Sequence, residues 1–465
     1  MRICLLSPPY LPEYMRNARC DFVSLSATQW YPILLGTCGA LLEGRGHTVK
    51  MIDAPAHGLM HAETERLVHE FHPDLLVLYS GRKSEDNDLS IGDKLLETCG
   101  CDGVIVGPYA SITPSATLSR ARHLDKLAFG EFDLTVAEIA LGKPAQEILG
   151  LAHKVDGTVV ENPPRPYMTS EQLDHIPFVS RFFKTQIDVR RYHTPSEGYP
   201  YMDMMTGRGC CWGMCTYCLW VHTFVKGRTY NVRSIPGVIE EFQFIQREMP
   251  QIQSVMLQDD TFTETRAIEF CESYLRLGLK IPWSCYARAN MNFDVLALMK
   301  QANCRNLHVG YESADQAILN RIRKGISVER MTRFTRDAKR ARLRIHGDFA
   351  FGFPGETPEA ARKTIRWACH MNPDTAQFQL MIPFPGTPYF EEMQRNGWLN
   401  TNGEPDMPQF PNAVIRQMGK EAYRAFYLSP RHVLKCLRHP FENVFSQWKT
   451  ISRAIPALFW KRWQV

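Results

Sequence analysis

The sequence predicts an α/β protein: an amino-terminal doubly wound, flavodoxin-like sheet, then a partial (β/α)6 barrel, then a helical carboxyl-terminal extension. Three observations carry this. Short apolar runs alternate with helix-period segments in two separate series, a proline-rich break divides the series, and 465 residues exceed what one hydrophobic core usually supports.

In the first series, strands are expected at Ile3–Leu6, Val49–Ile52, Leu75–Tyr79, Gly103–Val106 and Lys126–Phe129, with helices such as Leu34–Arg45 and Ala62–Phe71 between them. Doubly wound sheets bind ligands outside the carboxyl ends of their strands, so Pro8-Pro9, Asp53–Gly58, Ser80-Gly81, Gly107–Thr113 and Gly130-Glu131 should form one rim. Pro163-Pro164-Arg165-Pro166 continues neither a helix nor a central strand. The chain is accordingly divided into residues 1–150, a connecting segment 151–199, a barrel 200–400 and an extension 401–465. Barrel strands are expected near Tyr201–Thr206, Ser254–Gln258, Trp283–Ala287, Asn306–Gly310, Arg344–Phe351 and Thr375–Met381, with helices such as Pro236–Arg247 and Val328–Ala341. The active site of such a barrel lies at the carboxyl ends of its strands.

Composition narrows the class. Apolar residues make up 44% and charged residues 22%, which excludes a fibrous repeat or long disorder. No apolar run approaches the roughly 20 residues of a bilayer span, and the opening Met1–Pro9 reads as a strand and not an export signal, so a cytoplasmic protein is expected. Fourteen cysteines in such a chain are thiols or metal ligands. The net charge of +5 is concentrated at one end, where seven Lys or Arg between Arg431 and Val465 face Glu442 alone. A basic end rich in Trp, Phe and Leu suits an anionic membrane surface or an acidic partner, and no nucleic-acid partner is expected. Ile451, Ala454, Ile455, Leu458 and Phe459 recur at helical spacing there, as an interfacial helix or a helix packed on the barrel requires.

The chemistry concentrates in Cys211-Trp-Gly-Met-Cys215-Thr-Tyr-Cys218, directly after the first barrel strand. Three thiolates bind three irons of a 4Fe-4S cubane and leave the fourth open to a ligand. A zinc site with Cys210 as fourth ligand fits less well, because structural zinc sites come as paired Cys-x2-Cys units. Either Cys210 or Cys211 can serve as the first ligand, with spacing in favour of Cys211.

The spacing Cys-x3-Cys-x2-Cys after Thr206-Gly-Arg-Gly resembles the radical S-adenosylmethionine (SAM) superfamily. The resemblance implies a cluster that reductively cleaves SAM to a 5'-deoxyadenosyl radical, with electrons from an external donor such as flavodoxin or ferredoxin. It also assigns later segments. Gln258, Asp259 and Asp260 stand where the superfamily holds the SAM amino group, Arg288 can pair with the SAM carboxylate, and Glu312 and Ser313 look like contacts to ribose or amino group. Gly352, in Gly352-Phe-Pro-Gly-Glu-Thr357, looks like the glycine under the adenine.

The same resemblance makes residues 1–150 look like the cobalamin-binding domain of one large class. Asp53, Ser80, Gly107 and Gly130 are then the candidate contacts to the cofactor. Many such domains carry Asp-x-His-x-x-Gly after the first strand, whereas this chain has Ser7-Pro-Pro-Tyr10, so cobalamin would bind without that axial histidine. His57, isolated on the rim, reads as a loop or capping histidine. Asp53-Ala-Pro-Ala-His-Gly-Leu59 and Cys218-Leu-Trp220 look like the hopanoid-biosynthesis-associated members of the anaerobic-cyclase-like class, which implies rearrangement of a lipid-linked sugar head group or another small-molecule substrate. The alternatives are a cobalamin-dependent C-methyltransferase and a non-catalytic cofactor-sensing module.

Overall fold

The computed structural model describes residues 1–17, 21–24 and 28–438. The expectations placed on Ile451–Phe459 and the adjoining basic residues lie outside that range.

Seven strands form the first sheet: β1 Arg2–Ser7, β2 Thr48–Asp53, β3 Leu75–Tyr79, β4 Asp102–Val106, β5 Lys126–Ala128, β6 Leu151–Val155 and β7 Thr158–Glu161. Their spatial order is β2-β1-β3-β4-β5-β6-β7. The first five are parallel, and every residue of β3 is buried, as strands covered on both faces require. The strand order reverses between β1 and β3, which is the switch point where doubly wound sheets bind ligands. β6 and β7 instead form an antiparallel hairpin on the far edge. The sheet thus runs past residue 150 and takes in part of the segment read from sequence as a connection. Asp156 and Gly157 both have positive φ, 49° and 79°, and an Asp-Gly pair between two apolar runs is the signature of that hairpin turn.

Six parallel strands form the second sheet: β8 Tyr201–Met204, β9 Ser254–Leu257, β10 Trp283–Ala287, β11 Cys304–Glu312, β12 Arg344–Phe351 and β13 Thr375–Leu380. They lie side by side in chain order and do not close, so β8 and β13 are the two edge strands of a partial barrel. The helix Asn412–Tyr427 covers the β13 edge, where the Tyr427 hydroxyl donates to the Ala376 carbonyl and accepts from its N–H. No helix among the described residues is long and apolar enough to cross a membrane.

The segment between the sheets is packed, not slack. Its helix Val179–Gln186 lies on the helix Ile33–Gly44 so closely that a Cβ at Gly36 or Gly39 would strike Phe183 or Phe182. Tyr192 stacks on Tyr31 at 4.2 Å and donates to the Asp53 carboxylate at 2.8 Å, while Tyr31 donates to the Tyr201 carbonyl at 2.6 Å. One continuous apolar core therefore runs from β1 through the connection into the barrel.

Candidate active site

The loop carrying Cys210–Cys218 is fixed at its entrance by carboxylates from the end of β9. Asp259 accepts from the Thr206 and Gly207 N–H groups at 2.6 and 3.0 Å and from the Thr206 hydroxyl, and Asp260 accepts from Gly209 N–H at 2.7 Å. Gly209 has φ +86°, and a Cβ there would run into the Thr229 carbonyl, so this position requires glycine. Arg208, between them, points the other way and is buried against Asp133 at 2.7 Å and Glu131 at 3.4 Å in the first unit. The loop is thus anchored on both sides before the first cysteine.

Cys215 is buried, and Cys210, Cys211 and Cys218 are half-buried. Burial raises the Cys215 thiol, an effect that the charges of Lys324 and Arg288 oppose. Burial pushes Cys218 up to about 12. Cys210 is held down to about 6, first by a hydrogen bond from Cys211 and then by the Gly213 and Trp212 N–H groups, while Cys211 is raised in turn. Cys210 also lies near enough to Cys215 and Cys218 to act on both electrostatically. The thiols do not meet at one point, and among the described residues no three His, Cys, Asp or Glu side chains are grouped as a metal site. Three soft donors in one anchored loop, beside two cations that favour thiolates, nonetheless match the ligand chemistry of an iron-sulfur cluster.

Around the loop, Lys324 donates to Glu312 at 2.9 Å and lies 3.2 Å from the Tyr217 hydroxyl. Arg288 donates to the Lys324 carbonyl at 2.6 Å and sits 5.0 Å over the Trp212 ring. Glu312 has φ +62°, a conformation rare for a residue with a side chain and a mark of functional positions. Arg288, Glu312 and the cysteines therefore share one mouth, at the carboxyl ends of the strands.

Other residues singled out from sequence are placed differently. The Asp259 carboxylate is occupied by the backbone of the loop entrance, and Gln258 donates to Asp203 at 3.0 Å, so this segment acts by holding the loop. Ser313 is buried and spends its hydroxyl on Thr364 and the Asp315 N–H. Gly352 has φ +104° and lies against Pro405 and Ile415, with its N–H given to Glu356. On the first rim, Asp53 is engaged by Tyr192, and His57 places one ring nitrogen 2.9 Å from the Asp53 carbonyl and the other 3.4 Å from the Asp188 N–H. Gly130 donates to Ser111 at 3.1 Å. Ser80 and Gly107 meet at the ends of β3 and β4, where a Cβ on Gly107 would lie 2.6 Å from the Ser80 carbonyl. Sequence reasoning missed Lys324, and it quoted Arg208 and Glu356 within motifs without giving either a role. The first two look like ordinary surface cations in a linear reading, and only their burial distinguishes them.

The Radical SAM superfamily model matches residues 204–368. An uncharacterized methyltransferase of Pyrococcus horikoshii is 30% identical over 407 residues, covering 84% of this chain and 86% of that protein. The cytidylyl-2-hydroxyethylphosphonate methyltransferase of Streptomyces wedmorensis is 25% identical over 455 residues, covering 84% of each. Among solved structures, the radical SAM methyltransferase TsrM of Kitasatospora setae, with cobalamin and a [4Fe-4S] cluster bound, superposes with a TM-score of 0.68 at 16% identity, covering 92% of this chain and 89% of that one. The particular likeness to hopanoid-associated proteins draws no support from these relatives. The chain is an enzyme whose cofactors include a 4Fe-4S cluster and SAM, and it belongs to the radical SAM superfamily.

Proposed function

We propose that this protein is a cobalamin-dependent radical SAM C-methyltransferase. The observation that carries the reading is the 30% identity, over most of both chains, to a protein named as a methyltransferase. The first rim fits a large polar cofactor. The Ser80 hydroxyl at the end of β3 is buried and has no hydrogen-bond partner among the described residues, and Gly107 leaves its side free of a Cβ. A cavity of ≈ 380 Å³ opens on the same rim, lined by Glu13, Gln29, Pro55, Asp188, Arg190 and His193.

When loaded, the cluster supplies the electron that cleaves the carbon–sulfur bond of SAM, and cobalamin supplies a transferable methyl group. The chain's own residues bind and orient. Cys215 and Cys218, with Cys210 or Cys211, hold the cluster. Asp259, Asp260 and Arg208 keep that loop in register. Arg288 and Glu312 offer charge partners to the carboxylate and amino group of SAM. A flavodoxin or ferredoxin would serve as electron donor.

Products test the reading. Protein reconstituted anaerobically with iron, sulfide and cobalamin, then supplied with reductant, cell extract and methyl-labelled SAM, should yield both S-adenosylhomocysteine and 5'-deoxyadenosine and transfer the label. Release of 5'-deoxyadenosine alone, without cobalamin retention, would overturn it.

A lipid-linked substrate is a second reading. It is favoured by the helix Pro430–Arg438, which exposes Val433, Leu434 and Leu437 beside Arg431, Lys435 and Arg438. Failure to co-sediment with anionic vesicles would remove it.

A further inference from the structure

A short helix, Gln316–Arg321, follows β11, and the turn after it, residues 322–325, is stitched to the cysteine loop and its surroundings. Three successive carbonyls are spent there. Ile322 accepts from the Thr216 N–H at 3.0 Å, Arg323 from the Trp212 indole at 2.8 Å and Lys324 from Arg288 at 2.6 Å. Arg323 and Gly325 have φ +51° and +66°, and a Cβ on Gly325 would overlap the Trp212 ring. Left-handed backbone at Arg323, a residue with a side chain, persists only where neighbours fix it in this way.

The turn aims one side chain inward. Lys324 Nζ donates to Glu312 at 2.9 Å and lies 3.2 Å from the hydroxyl of Tyr217, which stands between Cys215 and Cys218 in the loop. The lysine and glutamate side chains keep only 13% and 9% of their surface exposed. A Cβ at Gly310 would lie 2.5 Å from the Glu312 carboxylate and 3.1 Å from the Lys324 ammonium, so the strand carries glycine where the pair needs room. Burial works against the ammonium, yet Glu312 and then Cys215 outweigh it and hold the Lys324 pKa above its usual value. The group is therefore charged throughout the neutral range.

Holding the loop needs only backbone carbonyls, and any residue at 324 would supply one. The side chain has a different task, because an ion pair taken out of water is weak support for a fold and apolar residues often replace one without loss. Thiolates and irons form a site whose potential depends on net charge, hydrogen bonds to sulfur and solvent exposure. An electron entering such a site adds negative charge where water is scarce, and a fixed cation nearby lowers that cost by Coulomb attraction. Around these cysteines, Lys324 and Arg288 act as cations, and Glu312 and Asp260 as carboxylates. Arg228 reaches the Cys211 carbonyl at 3.3 Å from the exposed side, where solvent screens its charge. Loss of the lysine thus turns a balanced surround into a negative one.

We propose that Lys324 raises the reduction potential of the cluster, its ammonium being fixed beside the cysteines by the turn of residues 322–325. The step it favours is the gain of one electron by the oxidised cluster from the external one-electron donor, with no bond made or broken. The inference rests on the cluster and not on methyl transfer, so failure of the methyltransferase reading leaves it untouched.

Redox titration of the anaerobically reconstituted protein, with SAM omitted and titanium(III) citrate as reductant, reads the potential through the paramagnetic resonance signal of the reduced cluster. Lys324→Met should lower the midpoint by about tenfold or more in the one-electron equilibrium, or 59 mV, at unchanged iron content. Lys324→Arg keeps the charge and should stay near the wild-type midpoint. Glu312→Gln should raise it, and the double variant should fall between the two single ones. An unshifted or raised midpoint in Lys324→Met overturns the inference. Where Lys324→Met takes up no cluster, Glu312→Gln decides, and a midpoint there that is unchanged or lowered overturns it. Absence of iron from the reconstituted wild type as well removes the cluster and the inference together, a result distinct from either shift.

Discussion

At the scale of the residue, the pair Cys210-Cys211 is the sharpest question. Spacing favours Cys211, whereas the structure brings Cys210 into electrostatic range of Cys215 and Cys218 and supports its thiolate with two backbone N–H groups. We expect Cys215→Ser and Cys218→Ser each to lose the cluster, and whichever of Cys210→Ser and Cys211→Ser loses it as well identifies the first ligand, read by iron content and the visible absorbance of anaerobically reconstituted protein. Two buried glutamates set a pH dependence. Burial raises Glu197 to about 7 and Glu356 to about 8 from an ordinary 4.5. The folded chain thus binds more protons than the unfolded chain above about pH 4.5, and stability falls as pH rises through 7 and 8. Glu356→Gln should flatten that decline when denaturant midpoints are compared at pH 5, 6.5 and 8.

Among elements, close approach and edge protection decide stability. Gly39 lets the helix Ile33–Gly44 lie against Phe182, and an added methyl has a ring in its way. Gly39→Ala should destabilise by about 1–3 kcal/mol, as overpacking typically does, despite its better helix propensity. At the open edge of the barrel, the Tyr427 hydroxyl satisfies both backbone groups of Ala376. Tyr427→Phe leaves them unpaired, which should cost about 1–3 kcal/mol in chemical denaturation and expose a strand edge prone to association.

For the whole molecule, Arg208 matters because it joins the cluster loop to the first unit through a buried pair with Asp133. Arg208→Met strands the Asp133 and Glu131 carboxylates away from water, and a loss of about 3–5 kcal/mol is expected by denaturation. Much of this architecture was legible in sequence. Apolar periodicity placed every strand of the barrel within two residues at each end, and the spacing of Cys215 and Cys218 identified the cofactor class, because both signals are local. Gln258–Asp260 and Ser313 were read by position as ligand contacts, yet the fold spends Asp259 and Ser313 on backbone and side-chain partners. The Asp156-Gly157 hairpin was present as a signal and went unused. What sequence alone determined is therefore the set of elements and the cysteine motif, which depend on neighbours a few residues apart. Only the tertiary structure decided which charges are buried together, and that Lys324 stands beside the cysteines, because desolvation and Coulomb attraction depend on distances between segments far apart in the chain.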